Sequence, residues 1–140
     1  MEQKIIKILS QHTDSGTIVQ LVQDNDGKQY VHKIIQHLDI PIYRTIFQKE
    51  IQALTRLKGC ENIVRIFRSD IIKDEKGEEE GLVSMEYIPG KTLDKAIRDI
   101  PNISTRYYLV KQLTNAIRCA HQNSIIHRDI NPSNILLTDE

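Results

Sequence analysis

Eight residues near the end of the chain, His127-Arg128-Asp129-Ile130-Asn131-Pro132-Ser133-Asn134, crowd an imidazole, a guanidinium, a carboxylate and two amides into one segment. A carboxylate on a short side chain, flanked by groups that can hold it, is suited to acid/base work. Asparagine adds a neutral oxygen of the kind hard cations accept. Taken singly, each of these residues is an ordinary solvated loop residue; together they read as a catalytic loop. A second pair lies far upstream: Lys33 within the apolar run "VHKII", and Glu50 within "FQKEIQALTRL". Alone, each would be a surface charge.

The elements that must position these groups follow from periodicity. From Ile5 to Ile35 the segments "IIKILS", "GTIVQLV" and "KQYVHKII" are rich in β-branched residues, and Asp26-Gly27 provides the positive φ of a tight turn. This predicts a three-stranded antiparallel meander with Lys33 on its third strand. Between Ile42 and Leu57, the residues Ile46, Phe47, Ile51, Leu54 and Leu57 recur at helical spacing and predict an amphipathic helix carrying Glu50. "ENIVRIFRSDII" and "GLVSMEYI" predict two more strands, joined by the solvated polar loop "KDEKGEEE". A short helix over Thr92 to Ile100 is ended by Pro101. A longer one begins at Ser104 as N-cap, with Leu109, Leu113, Ile117 and Ala120 on one face.

The 140 residues hold 19 basic and 19 acidic side chains, so no global charge draws the chain to nucleic acid or to an anionic membrane. The amino-terminal run "IIKIL" is too short for a signal-peptide core or a spanning helix, and a cytoplasmic protein is expected. Cys60 and Cys119 have no metal spacing and are expected as buried free thiols. No internal repeat is present.

"HRDINPSN" fits a catalytic-loop pattern, and from about Ile5 to the last residue the chain resembles the amino-terminal half of a eukaryotic-type protein kinase domain of serine/threonine type. The resemblance implies an α+β fold. Residues 1–88 would form the small lobe and hinge, a five-stranded antiparallel sheet with one helix. Residues 89–140 would carry the first helices and catalytic loop of the large lobe. It also implies ATP and magnesium as cofactors and a protein substrate whose Ser or Thr hydroxyl receives the γ-phosphoryl group.

By the same resemblance, Asp129 orients the attacking hydroxyl, Asn134 is a magnesium ligand, His127 braces the loop, and Arg128 faces a phosphorylated activation segment. Lys33 meets the α- and β-phosphates and is paired by Glu50. Gly16, Ile18 and Val31 border the nucleotide, Met85 is the gatekeeper, and the backbone of Glu86 and Ile88 holds the purine edge.

Three departures stand out. Gly16 is the one glycine of "QHTDSGTIV", with Gln11 and Thr13 where the family has two more, so phosphate contact by the loop is expected to be weaker. Asn131 replaces the lysine that touches the γ-phosphate, bringing an amide without charge. No Asp-Phe-Gly, activation segment or Ala-Pro-Glu occurs in the 140 residues. On their own they are therefore expected to be a truncated or split kinase with little activity. The large-lobe helix and the strand "NILL" are expected to leave apolar surface and an open edge, where a complementing chain or partner could dock. Two other readings remain: a catalytically silent nucleotide-binding or interaction module, and a small-molecule phosphotransferase, which usually has glycine in place of Arg128.

Overall fold

A computed structural model describes residues 3–12, 14–100 and 102–138. Thr13 and Pro101 lie outside the described residues. The chain divides into two compact units: one holds everything up to Lys58 together with Val64–Tyr87, and the other holds Gly59–Ile63 and the chain from Ile88.

The first unit is a five-stranded antiparallel sheet of β1 (Lys4–His12), β2 (Thr17–Gln23), β3 (Gln29–Ile35), β4 (Ile66–Lys73) and β5 (Glu79–Glu86) in the order β1-β2-β3-β5-β4, with α1 (Pro41–Arg56) inserted after β3. This is the α+β small-lobe architecture the resemblance implies. Both the β2–β3 and the β4–β5 turns are built from Asp-x-x-Gly. In each, one aspartate oxygen accepts two backbone N–H groups (Asp26 and Lys28 on Asp24; Lys76 and Glu78 on Asp74), and the glycines take positive φ of 82° and 85° at Gly27 and Gly77. The expected hairpin at Asp26-Gly27 and the solvated tip at "KDEKGEEE" are both present.

The core gathers Ile35, Leu38, Phe47, Ile66 and Val83, with Tyr43, Ile51, Leu54 and Met85 packed on it. The buried stripe of α1 is thus Tyr43, Phe47, Ile51 and Leu54, spaced by four, four and three. Ile46, expected on that stripe, is 46% exposed together with Ile42 at 60%. At 100° per residue, Ile46 falls on the flank outside the stripe. Phe47 seats where β5 has Gly81: a Cβ there would stand 2.5 Å from the phenyl ring, so only glycine admits this close an approach.

The second unit contains β6 (Gly90–Thr92), α2 (Leu93–Ala96), a 3-10 turn at Ile97–Asp99, α3 (Ile103–Gln122), a 3-10 turn at Pro132–Asn134, and β7 (Leu136–Thr138). Three expectations are corrected here. Helix α3 is capped by Asn102, whose side-chain oxygen accepts the Thr105 N–H at 2.8 Å, and Ser104 lies inside the helix. The strand "NILL" has a mate, since β7 pairs antiparallel with β6. That pairing depends on Gly90, which has φ +155° and brings its backbone so close to Leu137 that a Cβ would sit 1.9 Å from the Leu137 carbonyl oxygen. Finally, Cys60 and Cys119 are joined in a disulfide across 59 positions with Cα atoms 5.8 Å apart. Neither partner of so distant a pair is legible from spacing.

The expected face of α3 is inward-facing: Ala116 and Ala120 are buried, and Leu109, Leu113 and Ile117 are half-buried. The exposed apolar residues of α3 are others, Ile103, Tyr107, Tyr108 and Val110. Among the described residues no helix is long and apolar enough to cross a membrane.

Two stability predictions follow from this packing. His32 of β3 is buried, its Nε2 has no hydrogen-bond partner among the described residues, and burial first and Arg68 second hold its pKa below the ordinary 6.5. The unfolded chain takes up a proton near pH 6.5 that the folded chain refuses, so stability should fall as pH drops below about 6.5 and level off below the folded pKa. Denaturant midpoints measured from pH 8 to 5 check this, and His32→Leu should flatten that part of the profile. Closure of a loop of 59 positions by Cys60–Cys119 should contribute about 4 kcal/mol in the chain-entropy account. A thiol reductant should therefore lower the melting midpoint, Cys60→Ser should lower it equally, and reductant added to Cys60→Ser should do nothing further.

Candidate active site

The first group of candidate residues belongs to the sheet unit. Antiparallel pairing places Val31 opposite Met85 and Lys33 opposite Val83, so β3 and β5 carry these residues in register. Strand alternation sends Val31 and Lys33 to one face and buried His32 to the other. From α1, one turn beyond Phe47, Glu50 meets the ammonium: Lys33 Nζ donates to Glu50 Oε1 at 2.7 Å and to Oε2 at 2.9 Å. Both side chains retain exposure, 27% and 22%, so the pair is reachable from solvent rather than sealed in the core. A cation fixed in this way presents its charge at a set place, which suits the neutralisation of phosphate oxygens.

Other sheet residues surround it. Ile18 of β2 pairs with Ile34 on one side and Gln11 on the other. Gly16 takes φ +58°, and its carbonyl accepts the Gln36 N–H at 2.8 Å. A Cβ at Gly16 would approach the His37 ring to 3.1 Å, so conformation and space both favour glycine here. Met85 is half-buried against the core. Glu86 departs from expectation in part: its N–H already donates to the Arg65 carbonyl at 2.9 Å, and its carboxylate accepts the Arg65 N–H and Nε at 2.8 and 3.1 Å. Among its backbone groups, the N–H is thus committed. Arg65 is the residue that sequence reading missed, since a two-way hold of this kind leaves no spacing signal. Ile88 lies in the second unit and is half-buried.

The second group lies in the loop between α3 and β7. The 3-10 turn at Pro132–Asn134 folds the loop back so that Asn131 and Asn134 both face Asp129. Asn131 Nδ2 donates to Asp129 Oδ1 at 3.0 Å, while Asn134 Nδ2 donates to Asp129 Oδ2 at 3.1 Å and to the Asp129 carbonyl at 2.9 Å. His127 holds the base of the loop, its Nδ1 accepting the Asp129 N–H at 3.2 Å. Arg128 is exposed and takes the left-handed conformation, φ +67°, unusual for a side-chain-bearing residue and a mark of a loop held by its surroundings. Asp129 is exposed, so its carboxylate can be reached from solvent.

For a magnesium ion, the loop offers the Asn134 amide oxygen, the atom its nitrogen contacts leave available. Among the described residues no group of three or more His, Cys, Asp or Glu side chains could hold a metal ion. One amide oxygen does not make a cation site. The phosphates of a nucleotide fit better, because the Lys33 ammonium is charged, anchored and accessible.

Residues 13–140 match the family model described as the protein kinase domain. A probable serine/threonine-protein kinase of Clostridium acetobutylicum is 38% identical over 96 residues, which cover 67% of this chain and 14% of that protein. A second, from Bifidobacterium longum, is 32% identical over 105 residues, covering 71% of this chain and 15% of that protein. The chain therefore spans about one-seventh of the length of these curated relatives.

The exposure of the Lys33–Glu50 pair sets its energetic worth. In a double-mutant cycle of Lys33→Met and Glu50→Gln followed by denaturant unfolding, the coupling should be about 1 kcal/mol or less, since solvent screens both charges. The single variants should stay folded.

Proposed function

The chain belongs to the protein kinase domain family, and from that premise we propose that it serves ATP-dependent transfer of the γ-phosphoryl group to serine and threonine hydroxyls of a protein substrate. The observation that carries the reading is the two-pronged hold of Glu50 on Lys33, which fixes a cation on β3 of the sheet. ATP, when bound, provides the phosphoryl group and a good leaving group.

The residues of the chain divide the remaining work. Lys33 meets the α- and β-phosphates, and Glu50 sets its position and keeps its charge from wandering. Ile18, Val31 and Met85 are the apolar groups offered to the base, with the backbone at Glu86 and Ile88 for its polar edge; at Glu86 the carbonyl is the relevant group, because the N–H is held by Arg65. Asp129 orients the acceptor hydroxyl and takes its proton, its carboxylate held at both oxygens by amide donors. Asn134 would offer its amide oxygen to a magnesium ion brought in with the nucleotide, which would have to take its other ligands from the phosphates and water. The two relatives named as serine/threonine-protein kinases support serine and threonine as the acceptors, as does the residue pattern "INPSN".

The test is phosphotransfer by the protein, supplied with magnesium-ATP and a library of Ser- and Thr-containing peptides. Asp129→Asn should lower kcat by about two to four orders of magnitude, the usual contribution of a positioned general base, with nucleotide affinity retained. Transfer by Asp129→Asn at the unmodified rate would remove Asp129 from this role.

A further inference from the structure

The loop reading above gives Asn131 no role beyond standing where the family has a lysine, and the geometry assigns it one. Its backbone is extended, φ −147° and ψ 162°, as suits a residue before proline, and it caps the 3-10 turn at Pro132–Asn134. The cap is made by the side-chain oxygen: Oδ1 accepts the Ser133 N–H at 3.0 Å and also the Ser133 hydroxyl. An amide is planar, so fixing Oδ1 fixes Nδ2. That nitrogen is turned back along the loop to Asp129 Oδ1 at 3.0 Å, with the Asp129 carbonyl at 3.4 Å. Asn134 holds the other carboxylate oxygen from the far side of the turn.

We propose that Asn131 is a positioning residue which, through one amide, both caps the turn and clamps the Asp129 carboxylate in the orientation that holds the acceptor hydroxyl. The inference rests on the phosphotransfer reading given above. A cation at this position would reach outward to phosphate; Asn131 reaches inward, and its donor is spent on the base. Three features make the clamp rigid: Pro132 limits the backbone that follows, the capped turn holds the amide plane, and the two donors address different oxygens of the same carboxylate. Both side chains stay at the surface of their unit, Asn131 half-buried and Asp129 exposed, so an unheld Asp129 would sample several rotamers.

The discriminating variant is Asn131→Ser, made in the protein as it exists. Serine keeps a capping oxygen of similar quality but has no donor able to replace Nδ2. The melting midpoint should be unchanged, kcat should drop roughly ten- to hundredfold, as for loss of a hydrogen bond to a charged group, and KM for ATP should stay within about twofold. An unchanged kcat in Asn131→Ser overturns the proposal, and so does a raised KM at constant kcat.

A readout free of activity separates this from the phosphotransfer reading. In nitrogen-15 spectra, the two Asn131 side-chain amide protons should be well separated in the unmodified protein and collapse towards each other in Asp129→Ala. If those signals respond while the unmodified protein transfers no phosphate, the contact stands and the kinase reading fails. If phosphate is transferred and the signals ignore Asp129→Ala, the kinase reading stands and the clamp fails.

Discussion

The constraint on which the site depends is that a lysine ammonium on one strand of the sheet must be held in place by an anion from another element. Lys33 is on β3 and Glu50 on α1, so their 2.7 and 2.9 Å contacts exist only when the helix docks at one height and one rotation. That docking is decided by Phe47, three residues before Glu50. Its ring fills the space a side chain at Gly81 would take, with 2.5 Å between ring carbon and the absent Cβ. A larger residue at 81 would force Phe47, and with it the helix that carries Glu50, to shift. The chain of dependence therefore runs from a missing side chain on β5, through an aromatic ring, to a charge on β3. Because the pair is partly exposed, its value lies in position more than in stability.

The loop between α3 and β7 answers a different physical problem, how to hold a carboxylate that has no buried surroundings. Packing cannot do it, since most of the loop is exposed. Hydrogen bonds do it instead: two amide nitrogens reach one carboxylate, an imidazole accepts the backbone N–H behind it, and a capped 3-10 turn ties these together. The short contacts lie within eight residues, so the arrangement is encoded locally. In the same unit, the closeness of Gly90 to Leu137 lets β6 pair with β7 just after the loop, giving its end a fixed anchor.

What the sequence disclosed and what it withheld follow from the range of each interaction. The five sheet strands, the turn at Asp26-Gly27, the solvated tip at "KDEKGEEE" and α1 were legible because alternation, turn chemistry and helical spacing are local signals, and their assembly as one five-stranded antiparallel sheet with a helix followed from the kinase resemblance. The pairing of Lys33 with Glu50 was also implied by that resemblance and by nothing in their spacing. Local competition explains the cap of α3: Ser104 was the expected cap, and Asn102, two residues earlier, is the one whose oxygen meets Thr105. The Cys60–Cys119 bond, the β6–β7 pair and the hold of Arg65 on Glu86 join residues far apart in the chain, and their partners carry no mark of each other. Ile46 was misplaced for a finer reason: a stripe of period 3.6 includes or excludes a flanking residue according to where the partner surface lies.

The central claim is that the Lys33-bearing unit receives a nucleotide, and a thermal melt of the protein with and without magnesium-ATP tests it most directly. With nucleotide at a hundredfold excess over its dissociation constant, binding to the folded state should add about 2.7 kcal/mol and raise the midpoint by roughly 5 to 11 °C. A cooperative melt whose midpoint ignores magnesium-ATP at every concentration would contradict the account and leave the fold without its proposed ligand.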